Sequence, residues 1–161
     1  MILGMSLETF TELHVAISVV GILTGAVVLL CMIRDRPIAI WNEIFLVTTI
    51  ATSVTGFFFP FKGVSPAIIV GILSLAVLAM ALLAFYGMHL AGFWRRLYAD
   101  CAIIALYLNS FVFVVQAFAK LPPLKAAAPT QSEPPFLVAQ GAVLVVFIIG
   151  GFLAQRQFAK I

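Results

Sequence analysis

Charged side chains are scarce in this sequence. Asp, Glu, Lys and Arg make up 9% of the 161 residues, whereas hydrophobic residues make up 64%. A soluble globular domain carries about 25% charged and about 45–50% apolar residues. Because so few charges could not give an apolar chain a surface compatible with water, a soluble globular domain is excluded and an integral membrane protein is predicted.

Cysteine is also rare, and the motifs of several enzyme classes are missing. Cys31 and Cys101 do not form a Cys-x-x-Cys pair, so neither a disulfide framework nor a thiol oxidase is indicated. There is no phosphate-binding Walker loop, nucleophile elbow, zinc-protease motif or dinucleotide fingerprint. The long apolar runs also lack the central charge that an ion pump normally holds. These absences favour a non-enzymatic protein without a metal site.

What the sequence does contain is five long stretches without a charged residue, which span 13–33, 44–61, 63–94, 101–119 and 134–155. A helix needs about 20 apolar residues to cross the hydrocarbon core of a bilayer. We therefore predict an all-α membrane protein, with residues 1–161 forming one transmembrane domain. Its five predicted transmembrane helices are 10–33, 39–59, 66–90, 98–119 and 136–155.

Local signals set some of these bounds. Thr9 followed by Glu12 indicates a capping box at the start of the first helix. Ser65 followed by Pro66 is typical of an N-cap and a first-turn proline for the third. The segment 121–135 holds five of the eight prolines, a composition that favours an extended, stiff loop over a helix.

The basic residues divide unevenly between the two sides of a five-helix bundle. Cytoplasmic loops of membrane proteins are enriched in Lys and Arg, so the side with more of them is predicted to be cytoplasmic. This orientation puts the N-terminus and the proline-rich loop 121–135 outside and the C-terminus inside. It also accounts for the net charge of +3 without a nucleic-acid partner. The predicted cytoplasmic residues are Arg34, Arg36, Arg95, Arg96, Arg156 and Lys160, against Lys62, Lys120 and Lys125 outside.

Small and polar residues recur along one face of four predicted helices, at the spacing expected for about 100° of rotation per residue. Gly21 and Gly25 form a GxxxG pattern, which allows two membrane helices to approach closely. The residues assigned to helix packing on these grounds are Gly21, Gly25, Thr49, Gly56, Asn109 and Gly151.

Polar residues are concentrated in the predicted outer half of the bundle. One interpretation is a set of hydrogen bonds between helices. The other is a small polar cavity that opens outward and is covered by the loop 121–135, since buried polar groups in membranes often mark binding sites. The candidate ligand-binding residues are Glu12, His14, Ser18, Thr52, Thr55, Gln116 and Gln140.

The two histidines raise the question of haem, which two axial imidazoles can hold inside a helical bundle. His14 begins the first predicted helix and His89 ends the third, so they should lie about 30 Å apart on opposite sides of the bilayer. One iron could not bind both. Haem b or a quinone near His14 alone remains an alternative.

Three strings resemble those of uncharacterised small bacterial inner-membrane proteins. They are TSVTGFFFPF (52–61), LYLNSF (106–111) and APTQSEPPF (128–136). The resemblance implies a location in the bacterial inner membrane, but it implies no activity and no functional residue.

Three functions remain open at this point. The first is an accessory or structural membrane subunit, or a binder of a small lipophilic ligand, in contact with the lipid bilayer and with a membrane-protein partner or a second copy of itself. The second is a redox-linked subunit that holds haem or quinone near His14. The third is a small transporter with its site in the outer polar cluster.

Overall fold

The computed structural model describes residues 2–60, 66–158 and 160, which contain six α-helices and no β-strand. The third helix continues into one π-helical turn, Leu83–Gly87. The helices are α1 (Leu7–Ile33), α2 (Ala39–Gly56), α3 (Pro66–Leu82), α4 (Phe93–Lys120), α5 (Pro122–Ala127) and α6 (Pro134–Gln157).

Four helical segments are long and apolar enough to cross a membrane: Leu7–Ile33, Ala67–Gly87, Phe93–Lys120 and Pro134–Gln157. The prediction of an all-helical membrane protein with several crossings is therefore confirmed for the described residues. The helix α2 has 18 residues but is less apolar, because it carries Asn42, Glu43 and five Ser or Thr residues.

The helix α4 is the centre of the bundle. It contacts α1, α3 and α6, and α1, α2 and α3 follow one another around it. Ten of its residues are buried, whereas α6 buries only Gly150 and Ala154. The outer helices therefore present most of their apolar surface outward, as expected when lipid is the solvent.

Consecutive long helices run in opposite directions, which gives the bundle two different ends. At the His14 end, α1, α3 and α6 begin and α2 and α4 end. At the Tyr98 end, the loop after α1 lies close to the start of α4. The Arg95 guanidinium there is 3.7 Å from the Asp35 carboxylate.

The Tyr98 end is closed by close packing. Tyr98 is 0% exposed, donates a hydrogen bond to Asn42 Oδ1, and contacts the rings of Phe85 and Phe158. The guanidinium of Arg95 covers the outer side of the Phe158 ring at 4.4 Å. Aromatic packing therefore joins the π-helical turn, α4 and the residue that follows α6, and the hydrogen bond to Asn42 links α2 to them.

Two glycines bring α1 close to its neighbours. A Cβ atom on Gly25 would lie 2.6 Å from Leu106 Cδ1 and 2.7 Å from the Phe45 ring, and one on Gly21 would lie 3.1 Å from Thr49 Oγ1. The GxxxG face of α1 thus packs against both α2 and α4, and Gly25 leaves no room for a larger side chain.

The start of α1 differs from the predicted capping box. The N-cap is Ser6, whose hydroxyl oxygen accepts a hydrogen bond from the Thr9 amide at 3.1 Å. The box at Thr9 and Glu12 is therefore wrong by about one turn, because Ser6 supplies the same capping chemistry earlier. The predicted N-cap of α3, Ser65, lies outside the described residues.

The segment 121–135 is also more helical than predicted. Leu121 precedes the short helix α5, which has proline at its first two positions. Proline is tolerated in a first helical turn because the amide groups there have no partner within the helix. The prediction of an extended chain is therefore wrong for Pro122–Ala127.

Candidate functional site

A cavity of about 270 Å³ lies at the His14 end, between α1, α2, α3 and α4. Most of its wall is apolar, formed by residues such as Val15, Phe59, Val70, Leu108 and Val112. At about 30 Å³ per molecule this volume equals about nine water molecules, just below the 300–1,000 Å³ typical of sites for drug-sized ligands. The cavity therefore has room for a small molecule.

His14 reaches this cavity from the second turn of α1. Its Nδ1 lies 2.8 Å from Thr55 Oγ1. The single proton of the Thr55 hydroxyl is directed to the Ala51 carbonyl oxygen at 2.7 Å. With the Thr55 proton on that carbonyl oxygen, Thr55 accepts a hydrogen bond from His14 Nδ1–H, and a neutral His14 then has an unprotonated Nε2.

The edge of the His14 ring packs against Phe59 at a centroid distance of 5.2 Å. The Thr55 hydrogen bond and this contact hold the imidazole in one orientation. Its Nε2 makes no hydrogen bond with any described residue.

Three further hydroxyl groups on the cavity wall bond to their own helices. Thr11 donates to the Leu7 carbonyl at 2.7 Å, Thr52 to the Thr48 carbonyl at 2.9 Å, and Ser53 to the Thr49 carbonyl at 2.9 Å. Because each hydroxyl has only one proton, these oxygens can still accept hydrogen bonds but cannot donate another.

The helix α3 contributes a residue that the sequence analysis missed. Ser74 lines the cavity, is 5% exposed, and makes no hydrogen bond with any described residue. Ser74 is the only hydroxyl residue in the described part of α3, and it lies on the same face as Gly71, Leu78 and Ala81. This helical spacing could have placed Ser74 on the inward face of α3.

The mouth of the cavity is formed by the last two turns of α4. Gln116 and Lys120 both line the cavity and are both exposed. Thus His14, Thr52 and Gln116, which were candidate ligand-binding residues, line one cavity, and Thr55 contacts it through His14. Gly56 and Asn109, which were assigned to helix packing, line it as well.

The other candidate ligand-binding residues lie elsewhere. Ser18 is buried below the cavity and donates to Asn109 Oδ1 at 2.8 Å. Gln140 donates to the Phe111 carbonyl oxygen at 3.2 Å, in the contact between α6 and α4, and Glu12 is exposed on α1. None of these three lines the cavity.

Two residues assigned to packing have particular environments. Thr49 is buried beside Gly21, and its hydroxyl lacks a hydrogen-bond partner among the described residues. Gly151 is half-buried, and a Cβ atom there would lie 3.8 Å from Ile103, whereas the adjacent Gly150 packs more closely, against Leu29.

The segment 121–135 does not cover the cavity. None of its residues lines the cavity wall. Instead Gln131 donates to the Val115 carbonyl oxygen at 2.8 Å, and Phe136 contacts Phe118 on α4. The predicted lid is wrong, because the segment packs on the side of α4 that faces α6.

The described residues contain no group of three or more His, Cys, Asp or Glu side chains that could hold a metal ion. His89 follows the π-helical turn at the Tyr98 end and has a positive φ of 48°. The cavity therefore has one imidazole at most.

Comparison with protein-family models, curated proteins and solved structures finds no match for this chain. What the cavity can do must therefore be argued from its own geometry. It combines an apolar wall, one imidazole and several hydroxyl oxygens.

Proposed function

We propose that this protein is a multi-pass membrane protein that binds a small lipophilic ligand in the cavity at the His14 end. The observation that carries the proposal is the cavity itself: about 270 Å³ of space, with a mostly apolar wall and a few polar groups that include His14 and Ser74. Sites for small molecules typically combine an apolar wall with a few placed polar groups in this way. The volume favours a ligand smaller than haem b or a long-chain quinone.

A substitution that fills the mouth of the cavity tests this proposal. Ala67 lines the cavity at the start of α3 and is exposed, so Ala67→Phe adds a ring without displacing a packed neighbour. The matched control is Ala119→Phe, at an exposed alanine of α4 outside the cavity. Each protein, in lipid nanodiscs, is titrated calorimetrically with para-propylphenol, and empty nanodiscs give the background from partition into lipid.

We expect saturable binding to the wild type and to Ala119→Phe, and at least a tenfold loss of affinity in Ala67→Phe. If all three proteins, each folded as judged by its helical circular dichroism, give only the lipid background, the ligand-binding proposal is wrong. An accessory or structural subunit would then be the better explanation for the bundle.

We also propose that α2 spans the membrane, which makes five crossings. The helix α2 lies between α1 and α3, and two of its polar residues have internal partners: Asn42 bonds to Tyr98, and Thr48 bonds to the Ile44 carbonyl. A helix placed between two apolar helices of the same bundle shares their environment.

The proposed orientation puts the His14 end outside and the Tyr98 end in the cytoplasm of a bacterial inner membrane. It is supported by the basic residues near the Tyr98 end, among them Arg34, Arg36, Arg95 and Arg96. Lys62, one of the three basic residues on the other side, lies outside the described residues. Reporter fusions within 34–37 and 121–130 test this orientation, and a cytoplasmic signal from the second would contradict it.

A further inference from the structure

The groups on the cavity wall are unequal in what they offer a ligand. The hydroxyl protons of Thr11, Thr52 and Ser53 are all directed to carbonyl oxygens of their own helices. In a bilayer these bonds persist because no water competes for the carbonyl oxygens. The three hydroxyl groups therefore present only oxygen lone pairs to the cavity.

His14 adds a fourth acceptor. Because its Nδ1–H is bound by Thr55 Oγ1, the neutral ring leaves the lone pair of Nε2 without a partner among the described residues. Ser74 lies on the opposite wall, is more than nine-tenths buried, and has a hydroxyl that no described residue contacts by a hydrogen bond. That hydroxyl can accept from a ligand, donate to it, or do both.

The hydrogen-bond donors of the cavity lie mostly at its mouth. Gln116 and Lys120 are exposed, so water and lipid head groups can satisfy their N–H groups. Deeper in, one of the two N–H groups of Asn109 Nδ2 is directed to the Ser18 carbonyl oxygen at 3.4 Å, and the other makes no hydrogen bond with a described residue. No carboxylate lines the cavity among the described residues, and Lys120 would repel a cation that enters.

We propose that the cavity selects neutral amphiphiles that donate a hydrogen bond, such as a small alcohol or phenol, over the corresponding ethers and ketones. The O–H group of the ligand would bond to His14 Nε2 or to Ser74, and its apolar part would pack against Val15, Phe59 and Val112. This inference rests on the proposed ligand-binding function and names the chemical class of the ligand.

A pair of probes tests the selectivity. para-Propylphenol and its methyl ether, para-propylanisole, have nearly the same apolar part, but only the phenol donates a hydrogen bond. In nanodisc titrations, after subtraction of the empty-nanodisc signal, we expect the phenol to bind about tenfold more tightly, the effect of one buried hydrogen bond. The ratio of the two affinities should fall towards one in His14→Phe or in Ser74→Ala.

Ser110→Ala is the matched control. Ser110 lies on α4 outside the cavity and donates to the Leu106 carbonyl at 2.9 Å, as the cavity hydroxyls do to their own helices. Its removal should leave the ratio unchanged. If His14→Phe does not fold, the ratio of the phenol and ether affinities in the wild type decides the donor selectivity, and Ser74→Ala measures only the share that Ser74 contributes to it.

The outcomes separate the two proposals. Equal binding of phenol and ether, both weakened by Ala67→Phe, would overturn the donor selectivity and leave the ligand-binding function standing. Tighter binding of the ether would overturn the selectivity as well. Binding of neither probe above the lipid background would contradict both proposals, and a selectivity that persists in Ser74→Ala and His14→Phe would show that other groups select the ligand.

Discussion

The two ends of the bundle differ in how their polar side chains are hydrogen-bonded and packed. At the Tyr98 end, one buried polar pair, Tyr98 and Asn42, is enclosed by aromatic rings. At the His14 end, hydroxyl groups bond to their own helices and border an open cavity. The comparison shows that the polar pair at the Tyr98 end joins two helices inside closed packing, whereas most hydroxyl groups at the His14 end bond to their own helices and keep oxygen lone pairs directed to open space.

Truncation of an aromatic residue should separate the two ends most clearly. Tyr98→Ala removes a fully buried ring and its hydrogen bond to Asn42, so we expect a loss of about 3–5 kcal/mol in the free energy of unfolding. His14→Ala removes a half-buried ring beside existing space, and it should cost about 1 kcal/mol or less. Reversible unfolding in mixed micelles measures both. Equal losses would contradict the division of the bundle into a packed end and an open end.

Gly25→Ala probes the packing between the two ends. The new Cβ atom would overlap the buried side chains of Leu106 and Phe45, and we expect a loss of about 1–3 kcal/mol from overpacking. The control is Gly141→Ala in α6, where no atom lies within 4 Å of the added carbon. That variant should gain up to about 1 kcal/mol from helix propensity alone. A stable Gly25→Ala protein would mean that α1 can move away from α2 and α4 at little cost.

The hydrogen bond below the cavity should contribute less. A double-mutant cycle of Ser18→Ala and Asn109→Leu should give a coupling energy of about 0.6 kcal/mol, the average for interhelical hydrogen bonds in membranes. The same cycle with Ser110→Ala in place of Ser18→Ala should give none, since Ser110 bonds only to the Leu106 carbonyl. A coupling energy above about 2 kcal/mol would contradict this expectation. The Ser18–Asn109 pair would then have the same structural role as the Tyr98–Asn42 pair.

The smallest effect is expected in the turn before α6. Desolvation raises the pKa of Glu133, but hydrogen bonds from the Thr130 hydroxyl and from the backbone of Glu133, Thr130 and Ser132 together outweigh it, so the pKa lies below its ordinary value. The ionised carboxylate therefore stabilises the turn above the pKa of an unfolded glutamate, and this contribution disappears as the pH falls through the lowered value. Because Glu133 lies in a surface turn, global stability should hardly change.

Nuclear magnetic resonance of the Thr130 and Ser132 amides measures this titration directly. Their chemical shifts should follow a midpoint below that of an ordinary glutamate. In Thr130→Val, which removes the hydroxyl donor, the midpoint should rise. A midpoint that does not change in this variant would contradict the assigned hydrogen bond.

Several helix bounds could not be predicted from the charge pattern, for a physical reason. The helix α4 begins at Phe93, five residues before the predicted start, because Arg95 and Arg96 lie within its first turn. A charged residue marks where the hydrocarbon ends, but a helix can continue into the head-group region. Likewise, the prolines at the start of α5 and of α6 begin helices rather than interrupt them.

The candidate site was predictable in part. Helical periodicity placed His14, Thr52 and Gln116 on inward faces at one depth, and the structure brings them to one cavity. It could not show that Gln140 faces the other side of α4, since that depends on α6 packing against α4 and α1 rather than against α3. Ser74 was missed because the apolar residues of α3 surround a single hydroxyl.

The sequence alone indicated lipid surroundings and a helical class of fold, because its charge-free runs have the length that a helix needs to cross a bilayer. It also showed that more basic residues fall on one side of the predicted bundle than on the other. Only the tertiary structure decided which helices are neighbours, where a cavity remains, and that Thr55 is the hydrogen-bond partner of His14 Nδ1. The reason is that a helical period specifies the face on which a residue lies, whereas a hydrogen bond or a cavity depends on the partner that packs against that face.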